Sequence, residues 1–141
     1  MLDWDYQLDI ISEYSKDSTG AVNASKVSIL SLKDGTILNS VDQDNSFNIS
    51  QNEARVIANI FKTKEFTAFK SDGITIEDIN YKFINSVDER IVFAKKEYVG
   101  TLSMQSTNTT VIIGFTQDGY HQSNTNLAIK NIVKYFEQID L

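Results

Sequence analysis

Neither cysteine nor proline occurs anywhere in the 141 residues. Without cysteine there is no disulfide, no thiol nucleophile and no Cys-ligated zinc. Without proline there are no sharp helix stops and no proline-rich linker. There is one histidine, His121. A multi-histidine metal site therefore lacks ligands, and a serine–histidine relay could run only through that side chain. Basic residues are outnumbered, 13 Lys and Arg against 19 Asp and Glu, for a net charge of −6. A general nucleic-acid binder needs a basic footprint, so the charge argues against that class. No apolar run approaches the roughly 20 residues of a membrane-spanning helix. Met1-Leu2-Asp3-Trp4-Asp5 has no basic stretch followed by an apolar core, so no signal peptide is expected and the expected location is cytoplasmic. The Asn-x-Ser/Thr triplets at Asn23, Asn48 and Asn108 are then incidental.

The remainder is ordinary globular composition, 41% hydrophobic and 23% charged. We expect one domain over residues 1–141, large enough to hold a core without a staple. The last stretch organises the reading. After Gly119-Tyr120-His121-Gln122, the residues Ile129, Ile132, Val133, Phe136 and Ile139 recur at helical spacing. Ser123 or Asn124 is placed to cap the start of that helix. Asp3 to Tyr14 predicts a second amphipathic helix, with Trp4, Leu8, Ile11 and Tyr14 on one side. The two terminal helices are expected as neighbours on one face of a sheet built from the middle of the chain.

The middle reads as follows. Lys26 to Leu32 alternates as a strand, Lys33-Asp34-Gly35 signals a hairpin turn, and Thr36 to Val41 returns as the partner strand. Asp42 to Asn48 is a polar loop with a lone Phe47. Ser50-Gln51-Asn52-Glu53 fits a capping box, followed by Ala54, Ile57, Ala58 and Phe61 at helical spacing. Lys62 to Gly73 is irregular or a short helix anchored by Phe66 and Phe69. Ile74 and Ile76 mark a short strand. Strands are expected at Asn80–Val87, Arg90–Lys96, Val99–Gln105 and Thr109–Phe115, with a turn at Asp88-Glu89. The fold class is α+β, with one mostly antiparallel sheet and helices on both faces.

No catalytic constellation stands out, so an enzyme is not expected. Asp3, Asp5 and Asp9 suit the first turns of a helix, where negative charge meets the positive dipole end. Lys95-Lys96, with Arg90 nearby, is either a solvated strand end or half of a charged contact to an acidic partner. His121 is a loop residue ahead of a helix. Trp4 reads as a core anchor, or, if half exposed, as part of a binding surface.

Several landmarks in order carry a resemblance over nearly the whole chain. They are Trp4-Asp5-x-x-Leu8-Asp9, Lys33-Asp34-Gly35-Thr36-Ile37, Phe47 before the Glu53 helix, and Gly73-Ile74-Thr75-Ile76 leading to Tyr81-Lys82-Phe83-Ile84. Lys95-Lys96-x-x-x-Gly100, Thr109 to Phe115 and a terminal helix carrying Asn126 complete them. The chain resembles profilin, the small actin-monomer-binding family, with a leaning toward its archaeal members. The resemblance implies a central antiparallel sheet, with the N- and C-terminal helices on one face and shorter helices on the other. It implies binding to monomeric actin at the barbed-end face, limiting spontaneous nucleation, with no cofactor and no metal. The contact residues it implies are Lys70, Ser71, Asn80, Lys82, Ile84, Lys96, Thr101, Tyr120, His121, Ser123, Asn126, Leu127 and Asn131. Lys82 and Lys96 would be the cationic contacts. Asn80 and Ala94 stand where many members carry basic residues.

The family's second site is an aromatic groove for proline-rich peptides between the terminal helices. Trp4, Tyr6 and Tyr135 are its implied members here. Gln7, Leu38 and Leu141 replace aromatics, and Tyr6 is displaced by one residue, about 100° around a helix. Polyproline binding is therefore expected to be weak or absent. A phosphoinositide partner is implied as well, against the net charge of −6. The alternative reading is a sensor or GTPase-regulator module of PAS, longin or roadblock outline. A ligand sensor needs an internal cavity, whereas Tyr81, Phe83, Val111 and Ile113 would fill the inward positions.

Overall fold

The computed structural model describes residues 2–141. Helix α1 spans Trp4–Tyr14 and strand β1 spans Lys26–Ser31. Helices α2 (Gln51–Thr63) and α3 (Thr67–Asp72) follow. The meander is β2 (Ile74–Ile76), β3 (Ile79–Val87), β4 (Ile91–Lys96), β5 (Gly100–Ser106) and β6 (Thr110–Gln117), and α4 (Gln122–Gln138) closes the fold. The strands form one sheet in the order β1-β6-β5-β4-β3-β2, every pair antiparallel.

The sheet curls. Tyr81 of β3 meets Phe115 of β6 edge-on at 6.3 Å. Lys26 in β1 reaches Glu77, between β2 and β3, at 3.3 Å. Inside the curl, Leu30, Val92, Ala94, Leu102, Met104, Val111 and Ile113 pack against α2 and α3 through Ile57, Phe61, Phe66 and Phe69. The outer face carries Val27, Ile29 and Ile112, covered by Leu8 and Ile11 of α1 and by Ile129, Ile132, Val133 and Phe136 of α4. Alternation along the strands supplies both cores, so one sheet feeds two apolar layers.

Local signals explain most of the elements. Asp3 caps α1 by accepting from the Tyr6 N–H at 3.2 Å. The capping box of α2 is present in both directions between Ser50 and Glu53. The Asp88-Glu89 turn has positive φ at both residues, as a two-residue hairpin requires. The terminal helices share one face and the shorter helices take the other, as expected.

Four details differ. Thr36 to Val41 does not form a strand; it returns as a single bridge, Leu30 to Ile37. Beyond it the Asn39 side chain accepts the Ile29 N–H at 2.7 Å, replacing a ladder bond. Ser123 and Asn124 do not cap α4; they lie in its first turn, and the N-cap is His121. Ile139 leaves the apolar stripe because the helix ends at Gln138, and the residue is exposed. Tyr14 is likewise exposed at the end of α1 rather than buried with Leu8 and Ile11.

Candidate functional site

Strand pairing decides which polar residues share a surface. Lys82 lies opposite Lys95, and Lys95 lies opposite Thr101. Directly paired residues project to the same side, so these three form a row on the outer face, beyond the edge of α4. Ile84 follows at the β-bulge between Phe83 and Asn85, which turns it out to 53% exposure. Asn80 precedes Lys82 on the same side of β3. Its amide nitrogen donates to the Asp72 carbonyl at 2.9 Å and to Thr75 Oγ1 at 3.1 Å. Asn80, Lys82, Ile84, Lys95, Lys96 and Glu97 line one shallow groove.

This register shifts the expected basic positions. Lys96 pairs with Gly100 and falls in the alternation of Ala94 and Leu102, which face the inner core. Lys96 thus sits at the rim of the groove, and Lys95 occupies the position beside Lys82. Ala94 is fully buried, so a basic residue has no place there in this frame. Lys82 and Lys95 are thus the basic pair that shares this face.

The start of α4 borders the row. Asn126 is bonded to Ser103 of β5, and Gln122 Nε2 donates to Ser103 Oγ at 3.1 Å. A groove between α4 and the strands is lined by Ile91, Phe93, Ser103, Gln105, Asn126 and Lys130. Tyr120, His121, Ser123 and Leu127 are all exposed around that helix start, Leu127 at 57%. Asn131 departs from the group. It is turned toward α1 and lines the other groove, and Lys130 stands on the strand side in its stead. Lys70 and Ser71 come from α3, inside the curl. The Lys70 ammonium lies 5.9 Å from the centre of the Phe83 ring, next to Lys82 in sequence.

Sequence reasoning passed over Asn23, which reads as a chance triplet. It is fully buried, and its Oδ1 accepts the His121 N–H at 2.8 Å. The nearby Asp17 accepts from Thr19, Asn23 and Ala21. Led by the Thr19 hydroxyl, these bonds hold its carboxyl well down, at about 2. The Asp-x-Thr spacing was the readable signal for that turn.

The second groove runs between α1 and α4. Tyr6, Tyr14 and Tyr135 border it, with Ile10, Asn131 and Ile132 between them. Trp4 packs edge-on against Phe136 at 5.8 Å and is half buried. Gln7 is 4% exposed, and its Oε1 has no hydrogen-bond partner among the described residues. Leu38 and Leu141, at positions implied to be aromatic, pack against the core under the helices. Among the described residues no group of His, Cys, Asp and Glu is arranged to hold a metal ion, and no helix is long and apolar enough to cross a membrane.

Comparisons with known proteins match this geometry to one family. The family model described as Profilin matches residues 9–141. Profilin of Strongylocentrotus purpuratus is 34% identical over 143 aligned residues, covering 99% of this chain and all of the relative. Among solved structures, Acanthamoeba castellanii profilin IB superposes with a TM-score of 0.77 at 17% identity, covering 98% of this chain and 99% of that one. The structure described as the LokiProfilin1/rabbit actin complex matches with a TM-score of 0.60 at 13% identity, covering 83% of this chain and 85% of the other. The expected leaning toward archaeal members gains no support from these matches. The sensor and GTPase-regulator reading gives way to them. With the curled antiparallel sheet, the paired terminal helices and a match over almost its whole length, the chain belongs to the profilin family.

Proposed function

We propose that this protein binds monomeric actin, covers its barbed-end face and limits spontaneous nucleation of filaments. The observation that carries the reading is the row Lys82–Lys95–Thr101 beside the exposed start of α4. On a chain with a net charge of −6 it gathers cations with apolar Ile84 and Leu127. Such a mixed surface suits a protein partner with an acidic patch: apolar contacts supply affinity, and the lysines supply steering and register. The actin complex named for one structural neighbour is consistent with it.

In this reading Lys82 and Lys95 are the cationic contacts, with Lys96 at the rim. Tyr120, His121, Ser123, Asn126 and Leu127 form the contact from α4, while Asn80, Ile84 and Thr101 complete the strand side. Lys70 and Ser71 would extend it around the β3 edge. No step of this function makes or breaks a covalent bond, so no catalytic residue is assigned. An interface of ordinary size, about 1,600 Å² in total, is expected. Proline-rich peptides would bind weakly at best. Leu38 and Leu141 pack against the core where the resemblance calls for flat aromatic rings, which leaves the groove less stacking surface.

Assembly kinetics of fluorescent actin test the reading. Dose-dependent lengthening of the lag, with seeded elongation less affected, supports it. An unchanged lag at a large molar excess of folded protein removes it.

A further inference from the structure

We infer that Asn23 is a positioning residue for the actin face, setting the His121 loop from the far end of the chain. The inference rests on the actin reading above.

The two long helices outside α1 start differently. Helix α2 closes its N-terminus locally, because Glu53 accepts the Ser50 N–H and Ser50 accepts the Glu53 N–H. Helix α4 has no such closure. The His121 side chain makes no cap bond, and the first turn holds no acidic residue. The third helical position, where a capping-box Glu would stand, is Asn124. The N-cap N–H goes instead to Asn23 Oδ1 at 2.8 Å, across 98 residues of chain.

Asn23 is itself held rigidly. Its amide nitrogen is directed at the Ser15 carbonyl at 2.9 Å, the Ala21 carbonyl at 3.2 Å and Asp17 Oδ2 at 3.3 Å. Every partner on that side is an acceptor, and the partner on the other side is a backbone donor. The amide orientation is therefore fixed by the network. Ser15 Oγ accepts the N–H groups of Asn23 at 3.2 Å and Ala24 at 2.9 Å, and it donates to the Ser12 carbonyl at 2.7 Å. A buried anchor bonded to the end of α1 thus holds the residue at which the partner-facing loop enters α4.

The consequence lies in binding. Tyr120 and His121 are exposed side chains on a loop without a local side-chain cap, and Ser123 is exposed in the first turn of α4. A loop of this kind otherwise has to be ordered when the partner arrives, and that ordering weakens affinity. The bond from Asn23 orders the backbone beforehand, while the side chains stay free to make contact.

Two substitutions separate positioning from general stability. Asn23→Ala removes the acceptor and the donors. Asn23→Asp keeps an acceptor for the His121 N–H but loses the donors to Ser15 and Ala21 and places a carboxylate beside Asp17. Both lower thermal stability. For binding to monomeric actin, Asn23→Ala is expected to be about three- to tenfold weaker than wild type and Asn23→Asp within about twofold of it. Hydrogen exchange at the His121 amide should be slow in wild type and Asn23→Asp and fast in Asn23→Ala. Equal affinity of Asn23→Ala and wild type overturns the inference, as does an equal loss in both variants, which would mark a purely structural role. Unchanged His121 exchange in Asn23→Ala overturns it without reference to actin. A wild-type protein that fails to bind actin overturns the actin reading itself, which is a different result.

Discussion

Glu53 fastens the hairpin that starts the binding strand to the start of α2, and its removal gives a sharp test of how that strand is positioned. Its Oε1 accepts the N–H groups of Ser50 at 3.1 Å and Glu77 at 3.0 Å, and its Oε2 accepts that of Asp78 at 3.0 Å. Glu77 and Asp78 are the two turn residues between β2 and β3, and both have positive φ without being glycine. That conformation costs each of them about 1 kcal/mol, and the carboxylate offsets it. Hydrogen bonds to an ionised group contribute about 1.5–3 kcal/mol each when buried. Glu53 is partly open to water, so screening brings each of the three bonds below that range, to about 0.7–1 kcal/mol. Glu53→Ala should therefore lose about 2–3 kcal/mol in all, or about 6–9 °C in melting temperature for a chain of this size. The pH dependence has a definite sign. Partial burial pushes the Glu53 carboxyl up, but the N–H groups of Asp78, Ser50 and Glu77 outweigh it, and the folded value lies below the ordinary one. The stabilisation is thus complete above the unfolded glutamate value of about 4.3 and disappears as pH falls through the lowered folded value. Thermal melts of wild type and Glu53→Ala should differ fully near neutral pH, and the difference should shrink as pH falls through the lowered folded value. A melting difference under about 2 °C near neutrality, or one that persists undiminished at the acid end, would refute the clasp.

Three further outcomes follow from the same geometry. Charge reversal at Lys82 or Lys95 should weaken actin binding about fivefold each, near 1 kcal/mol, and more at low salt. Lys96→Glu, at the rim, should have the smaller effect; titrations with monomeric actin that rank Lys96 above Lys95 would contradict the strand register. Titration with decaproline, followed by Trp4 fluorescence, should not saturate in the micromolar range, and clear saturation there would show that Tyr6, Tyr14 and Tyr135 suffice as a stacking surface. Gly35→Ala should destabilise by about 1–3 kcal/mol, because φ is +78° and a new Cβ would stand 2.6 Å from Arg55 Cα; a chemical-denaturation midpoint equal to wild type would refute that close approach.

Much of the fold was legible because the periodic signals were strong and local. The stripe Ile129, Ile132, Val133 and Phe136 and the box Ser50–Glu53 specify α4 and α2 without tertiary help, and both are present. The return after Gly35 failed as a strand because Asn39 satisfies Ile29 with a side chain, a substitution that periodicity cannot display. The start of α4 was placed too late because its N-cap, His121, makes no side-chain cap bond and its N–H is held by Asn23, distant in sequence, whereas capping rules look a few residues away. Of the expected contact residues, Lys82, Thr101, Asn126 and the exposed residues at the start of α4 lie near one another, whereas Lys96 alternates with the inner face, Lys95 stands beside Lys82, and Asn131 lines the groove toward α1. A one-residue slip reverses the face of a strand and turns a helix by about 100°. Landmark resemblance does not display the face of each residue; pairing across β3, β4 and β5 does.

Hydrogen–deuterium exchange of the protein, free and saturated with monomeric actin, tests the central claim most directly. Protection confined to segments 80–84, 94–102 and 120–127, with the exposed face of α1 unchanged, is the predicted result. No protection anywhere, or protection limited to the groove between α1 and α4, would contradict the assignment of this face to actin.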